Sequence, residues 1–87
     1  MASVAASVED MVDGRKARAL LDQILDRLTP DLREVLVLFE LDELTSPQIA
    51  KLLEIPEGTV ASRLRRAREA FSSEVERWRK ATSRRMP

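Results

Sequence analysis

The residues of this sequence best suited to chemistry are arginines. Four of them fall within residues 63–68, directly after Ser62. A guanidinium is a fixed fork of hydrogen-bond donors that suits phosphate oxygens and the O6 and N7 acceptors of guanine. The pattern favours binding of a polyanion over catalysis, although a solvated, salt-bridged helix face is the more common role of such a charge run.

Catalytic and metal-binding chemistry has few candidates in the composition. The 87 residues include no cysteine and no histidine. Disulfides, thiolate or imidazole metal sites and nucleophile-plus-histidine catalysis are therefore excluded. The carboxylates do not pair in a recognisable site. We expect no enzyme, no catalytic residue, no metal, no cofactor and no small-molecule substrate.

The formal net charge of zero conceals a separation of charge along the chain. Residues 61–87 hold nine basic and three acidic side chains, whereas residues 1–60 hold six basic and twelve acidic ones. A local basic segment attracts phosphate backbones through its field and through counterion release. No apolar run reaches membrane-spanning length and the N-terminus lacks a secretory signal, so we expect a cytoplasmic location and no membrane partner.

Hydrophobic periodicity predicts four helices. The first covers about residues 15–28. The second begins at Pro30, after Thr29 as its N-cap, and its dense apolar positions predict that it is the most buried. The third covers residues 46–53, and the fourth is long and continues to about Lys80.

These helices predict one small domain, because a chain of this length can bury only a modest core. We place a four-helix domain at residues 15–80. Residues 1–14 lack a sustained period and are expected to be a flexible leader or linker remnant. Residues 81–87 are expected to be a basic, frayed tail.

The third and fourth helices form a predicted helix-turn-helix. Thr45 and Gln48 have the capping-box spacing that starts the third helix. Ala50 is small enough for the two helices to cross closely, and Ile55 in the turn is expected to pack into the core. The fold class is therefore all-α, with a helix-turn-helix and a long C-terminal recognition helix. Many helical hairpins in other proteins share this pattern.

The fourth helix separates into two sides when its residues are placed at about 100° each. The apolar side holds Val60, Leu64, Ala67 and Phe71. The polar side and its shoulders hold Ala61, Ser62, Arg63, Arg65, Arg66 and Arg68. An apolar stripe backed by arginine and serine suits insertion into the major groove of DNA. Gly58 and Thr59 lie at the start of this helix, where free N–H groups and the helix dipole suit a phosphate.

Residues 44–68, LTSPQIAKLLEIPEGTVASRLRRAR, resemble the helix-turn-helix of region 4 of extracytoplasmic-function (ECF) sigma factors. The string at residues 56–68 is the most specific piece, and residues 28–35, LTPDLREV, are similar to the segment that opens the family's second helix. The resemblance covers about residues 20–71. It implies a domain that reads the promoter minus-35 element with its fourth helix and docks on the beta flap of the RNA polymerase core.

The resemblance also implies roles for individual residues. Its base-facing positions match Ala61, Ser62, Arg65 and Arg66. Positions near the DNA backbone match Thr59 and Arg63, and we add Gly58, Arg68 and Lys51 as predicted backbone contacts. The family often has a basic residue at position 61, so Ala61 leaves a contact missing or touches a thymine methyl instead. The family often has glycine where Glu43 and Glu54 stand, so these turns must avoid positive φ or strain to reach it.

Two other functions share these patterns. The domain could chiefly bind proteins, with an anti-sigma factor or the polymerase flap as the partner and an apolar stripe near Trp78 as the surface. We expect Phe71 and Val75 to pack on the first helix, whereas the pattern leaves Trp78 balanced between packing and partner binding. A response-regulator helix-turn-helix has the same four-helix layout, but the pattern of residues 62–68 favours a sigma factor.

Overall fold

Five helices make up the part of the chain that the structure describes. A computed structural model describes residues 4–85, apart from the side chains of residues 5–7, 84 and 85. The helices are α1 (Val4–Glu9), α2 (Gly14–Asp26), α3 (Pro30–Glu40), α4 (Ser46–Leu53) and α5 (Glu57–Arg85). No strand occurs within residues 4–85. The predicted all-α fold is confirmed, and α2 to α5 are the four predicted helices.

The core lies where the other helices meet one side of α5, which makes most of its contacts with α3 and α4. Leu36, Ile49 and Val60, one each from α3, α4 and α5, are completely buried. The prediction that α3 is the most buried helix is wrong, because α2 has more buried residues. Five of the 13 residues of α2 are buried but only two of the 11 in α3. The reason is that the last apolar side chains of α3, Val37 to Phe39, are only half covered.

The first predicted helix ends earlier in the structure than in the sequence pattern. The amides of Arg27 and Leu28 donate to the carbonyls of Ile24 and Leu25, both at 3.1 Å. These bonds reach back three residues and tighten the last turn, as is common where a helix ends. The α-helix therefore stops at Asp26 rather than at residue 28.

The start of α4 is the predicted capping box. The Gln48 amide donates to the Thr45 hydroxyl at 3.3 Å, and the Thr45 amide donates to the Gln48 side-chain oxygen at 2.8 Å. Two N–H groups that a helix start leaves without partners are thereby satisfied. The cap fixes where the first helix of the helix-turn-helix begins.

Two glutamates adopt the left-handed backbone conformation, where glycine would be unstrained. Glu43, in the connection before α4, has φ 58°, and Glu54, directly after α4, has φ 57° and ψ 45°. The sequence left open whether these turns avoid positive φ or reach it with strain, and both glutamates have positive φ. An L-residue in this region costs roughly 1–2 kcal/mol because its Cβ crowds the following carbonyl oxygen.

Replacing Glu54 with glycine is expected to stabilise the domain by roughly 0.5–1 kcal/mol, since the strain is relieved and partly offset by the greater backbone entropy of glycine in the unfolded chain. In a domain of this size that gain raises Tm by about 2–8 °C. Thermal unfolding followed by circular dichroism measures it. Glu54→Ala retains the Cβ and is the matched control. An equal gain in both variants would contradict the strain argument.

Residues 4–9 differ from the predicted flexible leader. They form α1, which contacts α2 and α5, and Val8 is only 1% exposed. The amides of Met11 and Val12 donate to the Val8 carbonyl at 3.0 and 3.3 Å and close the helix. A helix of six residues has too short a pattern to detect and is stabilised by packing rather than by propensity. Residues 1–3 of the predicted leader lie outside the described residues.

α5 is longer than predicted. It continues past residue 80 to Arg85 and has 29 residues, about 43 Å along its axis. The tail predicted to fray from residue 81 is thus helical through residue 85, while residues 86 and 87 lie outside the description. The described part of the molecule is correspondingly elongated, at 49 × 21 × 20 Å. None of its helices combines the length and the apolar character needed to cross a membrane.

Candidate nucleic-acid interface

The turn between α4 and α5 is held close to α4. Ala50, the small residue in α4, is 9% exposed, and its carbonyl accepts a hydrogen bond of 3.0 Å from the Ile55 amide in the turn. The Ile55 side chain is half-buried and packs on the core. Both residues lie where the sequence predicted, and α5 therefore begins directly after a short, anchored turn.

α5 presents an apolar side to the core and a polar side to solvent over its first three turns. Val60, Leu64 and Ala67 are at most 5% exposed. On the opposite side Ala61, Arg65 and Arg66 are exposed and Ser62 is half-buried. We refer to Ala61, Ser62, Arg65 and Arg66 together as the exposed face of α5. The structure brings the four predicted base-facing residues together on one uncovered surface.

Within this face, Ser62 and Arg66 are linked. The Nη2 atom of Arg66 donates to the Ser62 hydroxyl at 3.4 Å, one helical turn away. The bond is exposed and long, so it restrains the guanidinium only weakly. Ser62 can therefore orient Arg66 when no ligand is bound and exchange the bond for one to a ligand.

The first turn of α5 offers less to a phosphate than the sequence indicated. Gly58 is exposed, but the Thr59 amide already donates to the Pro56 carbonyl at 3.0 Å. Glu57 places an exposed carboxylate in the same turn, which opposes an anion. Lys51, in the last turn of α4, is exposed and remains available. Helix-dipole binding of a phosphate is therefore limited to the Gly58 side of the turn.

Arg63 lies close to the start of α3. The Thr29 hydroxyl donates to the Asp31 carboxylate at 2.6 Å and does not cap the helix as predicted. This hydrogen bond is the main reason that the pKa of Asp31 lies below its ordinary value, and the positive charge of Arg63 acts in the same direction. Arg63 is half-buried and thus sits at the edge of the exposed face, beside a carboxylate that stays ionised.

Arg68, which the sequence predicted as a contact to the DNA backbone, lies outside the exposed face and is paired within the domain. Its Nη2 atom pairs with the Glu40 carboxylate at 3.2 Å, and its Cζ atom lies 5.1 Å from the centre of the Phe39 ring. The side chains of Arg68 and Glu40 are 30% and 10% exposed. Position on a helical wheel could not reveal this, because the partner comes from α3, 28 residues earlier.

The basic part of the exposed side is interrupted after Arg66. Farther along the same side lie Glu69, Ser72, Ser73 and Glu76, all exposed. These residues carry negative or no charge, so they separate the arginines of the exposed face from Arg77, Arg79 and Lys80, which are exposed farther along α5. The spacing of these residues in the sequence carries the signal for this interruption.

A groove lies between α2 and the C-terminal half of α5. Half-buried Trp78 lines three neighbouring cavities of about 260 Å³ each, and Gln23 lines them with it. We call this surface the Trp78 groove and define it by Leu20, Gln23, Ile24, Arg27, Glu74 and Trp78. Phe71 and Val75 are buried, as predicted.

The Glu74 carboxylate links α5 across this groove to Arg27, the residue directly after α2. It accepts from Arg27 Nε at 3.1 Å and from Arg77 Nη1 at 3.3 Å. Its side chain is 21% exposed, so the pairs are partly shielded from water. The wall of the groove is therefore fixed on both helices.

Comparisons with known proteins bear on this arrangement. A family profile described as "Sigma-70, region 4" matches residues 18–71. The "ECF RNA polymerase sigma-E factor" of Escherichia coli (strain K12) is 37% identical over 68 residues, which are 78% of this chain and 36% of that protein. The protein of the same name from Salmonella typhimurium (strain LT2) gives the same values.

A relative from another organism matches this chain to a similar extent. The "RNA polymerase sigma-E factor" of Streptomyces avermitilis is 38% identical over 71 residues, 82% of this chain and 40% of that protein. The chain thus spans less than half the length of these curated relatives. No solved structure matches it.

Proposed function

The chain belongs to the sigma-70 region 4 family, and on this premise we propose that it binds the minus-35 element of promoters and docks on RNA polymerase. The curated relatives named as ECF sigma factors confirm the resemblance noted in the sequence. Because the chain covers only part of those relatives, the function is proposed for this domain alone. Such a role is not enzymatic and belongs to the cytoplasm, where the polymerase works.

One observation carries the DNA-binding proposal: Arg65 and Arg66 are exposed on α5 directly opposite its buried side. A helix can lie in a major groove only if it is packed on one side and free on the other. Each guanidinium is then free to bind the O6 and N7 atoms of a guanine. The two arginines are the proposed source of sequence preference.

The other residues have graded roles in this proposal. Ser62 reaches a base or a phosphate, and Ala61 offers a methyl group that suits a thymine methyl. Lys51, Gly58, Thr59 and Arg63 are proposed to hold the DNA backbone, which positions the helix without reading sequence. Thr59 contributes through its side chain, since its amide is occupied.

Selection from a library of random duplexes tests this function with the full chain. We expect a short sequence containing guanine to be enriched, and its affinity to fall steeply as salt rises, because binding releases counterions. Fluorescence anisotropy against a scrambled duplex measures the preference. A single small domain makes few contacts, so the binding is expected to be weak. Enrichment of no sequence would refute base reading by this domain.

We also propose the Trp78 groove as the surface that docks on a protein, with the beta flap of RNA polymerase as the partner and an anti-sigma factor as a competitor for it. The supporting observation is that Trp78 stays half-exposed beside three cavities while its neighbours Phe71 and Val75 are buried. Tryptophan is the residue that most often dominates binding energy at protein interfaces. A protein-binding role complements DNA binding, because it uses a different side of α5.

Replacing Trp78 with alanine is expected to weaken binding of purified RNA polymerase core, and of a beta-flap fragment, by at least about tenfold, as for an interface hot spot. DNA affinity should change little. Surface plasmon resonance with immobilised full chain measures both. Leu52→Ala is the matched control, because Leu52 is 60% exposed on α4, outside the groove. Unchanged polymerase binding by the Trp78 variant would remove the groove from the interface.

The response-regulator alternative loses support from these comparisons. The matched profile is that of sigma-70 region 4 and spans α3 and α4 completely, together with parts of α2 and α5. The relatives quoted are all named as sigma factors. We therefore propose no role in phosphorelay signalling.

A further inference from the structure

We infer that Arg68 is a positioning residue, which fixes the rotation of α5 about its axis and thereby aims Arg65 and Arg66. It does so by pairing with Glu40 and lying over the ring of Phe39. This inference rests on the proposed reading of DNA by the exposed face of α5. It replaces the expected contact of Arg68 with a phosphate.

The ion pair that Arg68 makes is directional, whereas the apolar contacts around it are not. The ion pair spans 3.2 Å and the guanidinium carbon lies 5.1 Å from the ring centre, so two contacts on α3 fix the position of the guanidinium. The rest of the α5 side that meets the core is apolar, with Val60, Leu64 and Ala67 buried. Apolar contacts hold a helix against its neighbours but specify its rotation less sharply than a charged hydrogen bond does.

Small rotations of α5 matter because arginine side chains are long. A guanidinium lies about 9 Å from the helix axis, so a rotation of about 10° moves it by roughly 1.5 Å. A bidentate contact with a guanine does not tolerate a displacement of that size. Arg68 follows Arg65 by three residues and Arg66 by two, so its restraint acts within one turn of both.

The positive charge of Arg68 is also neutralised within the domain. Glu40 is the last residue of α3, its side chain is 10% exposed, and its carboxylate neutralises the guanidinium. A phosphate would have to displace this partner. In the alternative account, Glu40 merely holds Arg68 away from DNA until DNA arrives, and the two accounts predict opposite effects of removing the Glu40 charge.

Glu40→Gln in the full chain decides between them. If Arg68 is a positioning residue, the ratio of affinities for preferred and scrambled duplex falls by about fivefold, since coupled pairs lose binding in this range. If Arg68 is a phosphate contact, the released guanidinium raises affinity for both duplexes, and the inference is overturned.

Arg68→Met adds a second readout. As a positioning residue, its loss lowers the preference for the selected duplex about as much as Glu40→Gln does, and the double variant is no worse than either single one. The slope of log affinity against log salt stays unchanged. Loss of about one unit of that slope would identify a phosphate contact and overturn the inference. Lys80→Met, which removes an exposed cation from the same helix, is the control.

A measurement without DNA separates this inference from the proposed function. Residual dipolar couplings of the amides of residues 60–70 report how α5 is oriented in the free chain. We expect Glu40→Gln to change them, with helix content retained by circular dichroism. Unchanged couplings would overturn the inference even if the chain reads DNA, whereas a chain that enriches no duplex but shows changed couplings would refute the proposed function alone.

Discussion

Replacing both Arg65 and Arg66 with alanine is expected to lower affinity for the selected duplex by roughly 100-fold or more, because each bidentate contact with a guanine contributes about 1–3 kcal/mol of discrimination. Affinity for a scrambled duplex should fall much less, since there the two charges act only through counterion release. Fluorescence anisotropy at one fixed salt concentration measures both affinities. The ratio between them is the informative quantity.

The matched control is Arg79→Ala with Lys80→Ala. It also removes two positive charges from exposed positions of α5, but beyond the acidic and serine residues that follow the exposed face. This control should lower both affinities slightly and leave their ratio unchanged. Equal losses on the selected and scrambled duplexes for the Arg65 and Arg66 variant would mean that these arginines attract DNA without reading it.

Replacing Leu36 with alanine is expected to remove a large part of the free energy of unfolding of the domain. Leu36 is completely buried in α3, where loss of a leucine side chain costs about 2–5 kcal/mol. A domain of this length has a total stability of only roughly 4–13 kcal/mol. Tm should therefore fall by about 10–30 °C, measured by circular dichroism.

Leu52→Ala makes the same chemical change at a site that is 60% exposed on α4. Its effect on stability should stay within about 0.5 kcal/mol, as for most surface substitutions. A similar loss of Tm in both variants would mean that the core is not centred where α3 meets α5. Since both are leucines in helices, propensity cannot account for a difference between them.

The elements of the interface could be predicted from the sequence because each rests on local chemistry. Thr45 and Gln48 are three residues apart and so predict a capping box, and the structure contains both of its hydrogen bonds. The apolar stripe that includes Val60 and Leu64 identifies the buried side of α5 and, by subtraction, the exposed one. Such patterns need no knowledge of which helices meet.

Other features of the fold and the interface could not be predicted, because they depend on contacts between distant parts of the chain. Arg68 looks like its neighbouring arginines in the sequence, and only the approach of α3 commits it to Glu40. α1 exists because Val8 finds a site on α2 and α5, which six residues of sequence cannot signal. Glu54 is forced into a left-handed conformation by the turn that the two helices require, although its own preference is against it.

The length of α5 has a consequence for how two partners share this domain. Arg66 and Trp78 are twelve residues apart, about 18 Å along the axis and about 120° around it. The surfaces proposed for a duplex and for a protein are therefore separate parts of α5. If these surfaces have their proposed roles, an antagonist confined to the Trp78 end separates the domain from polymerase and leaves its access to promoters open, so blocking both requires a ligand that extends along α5.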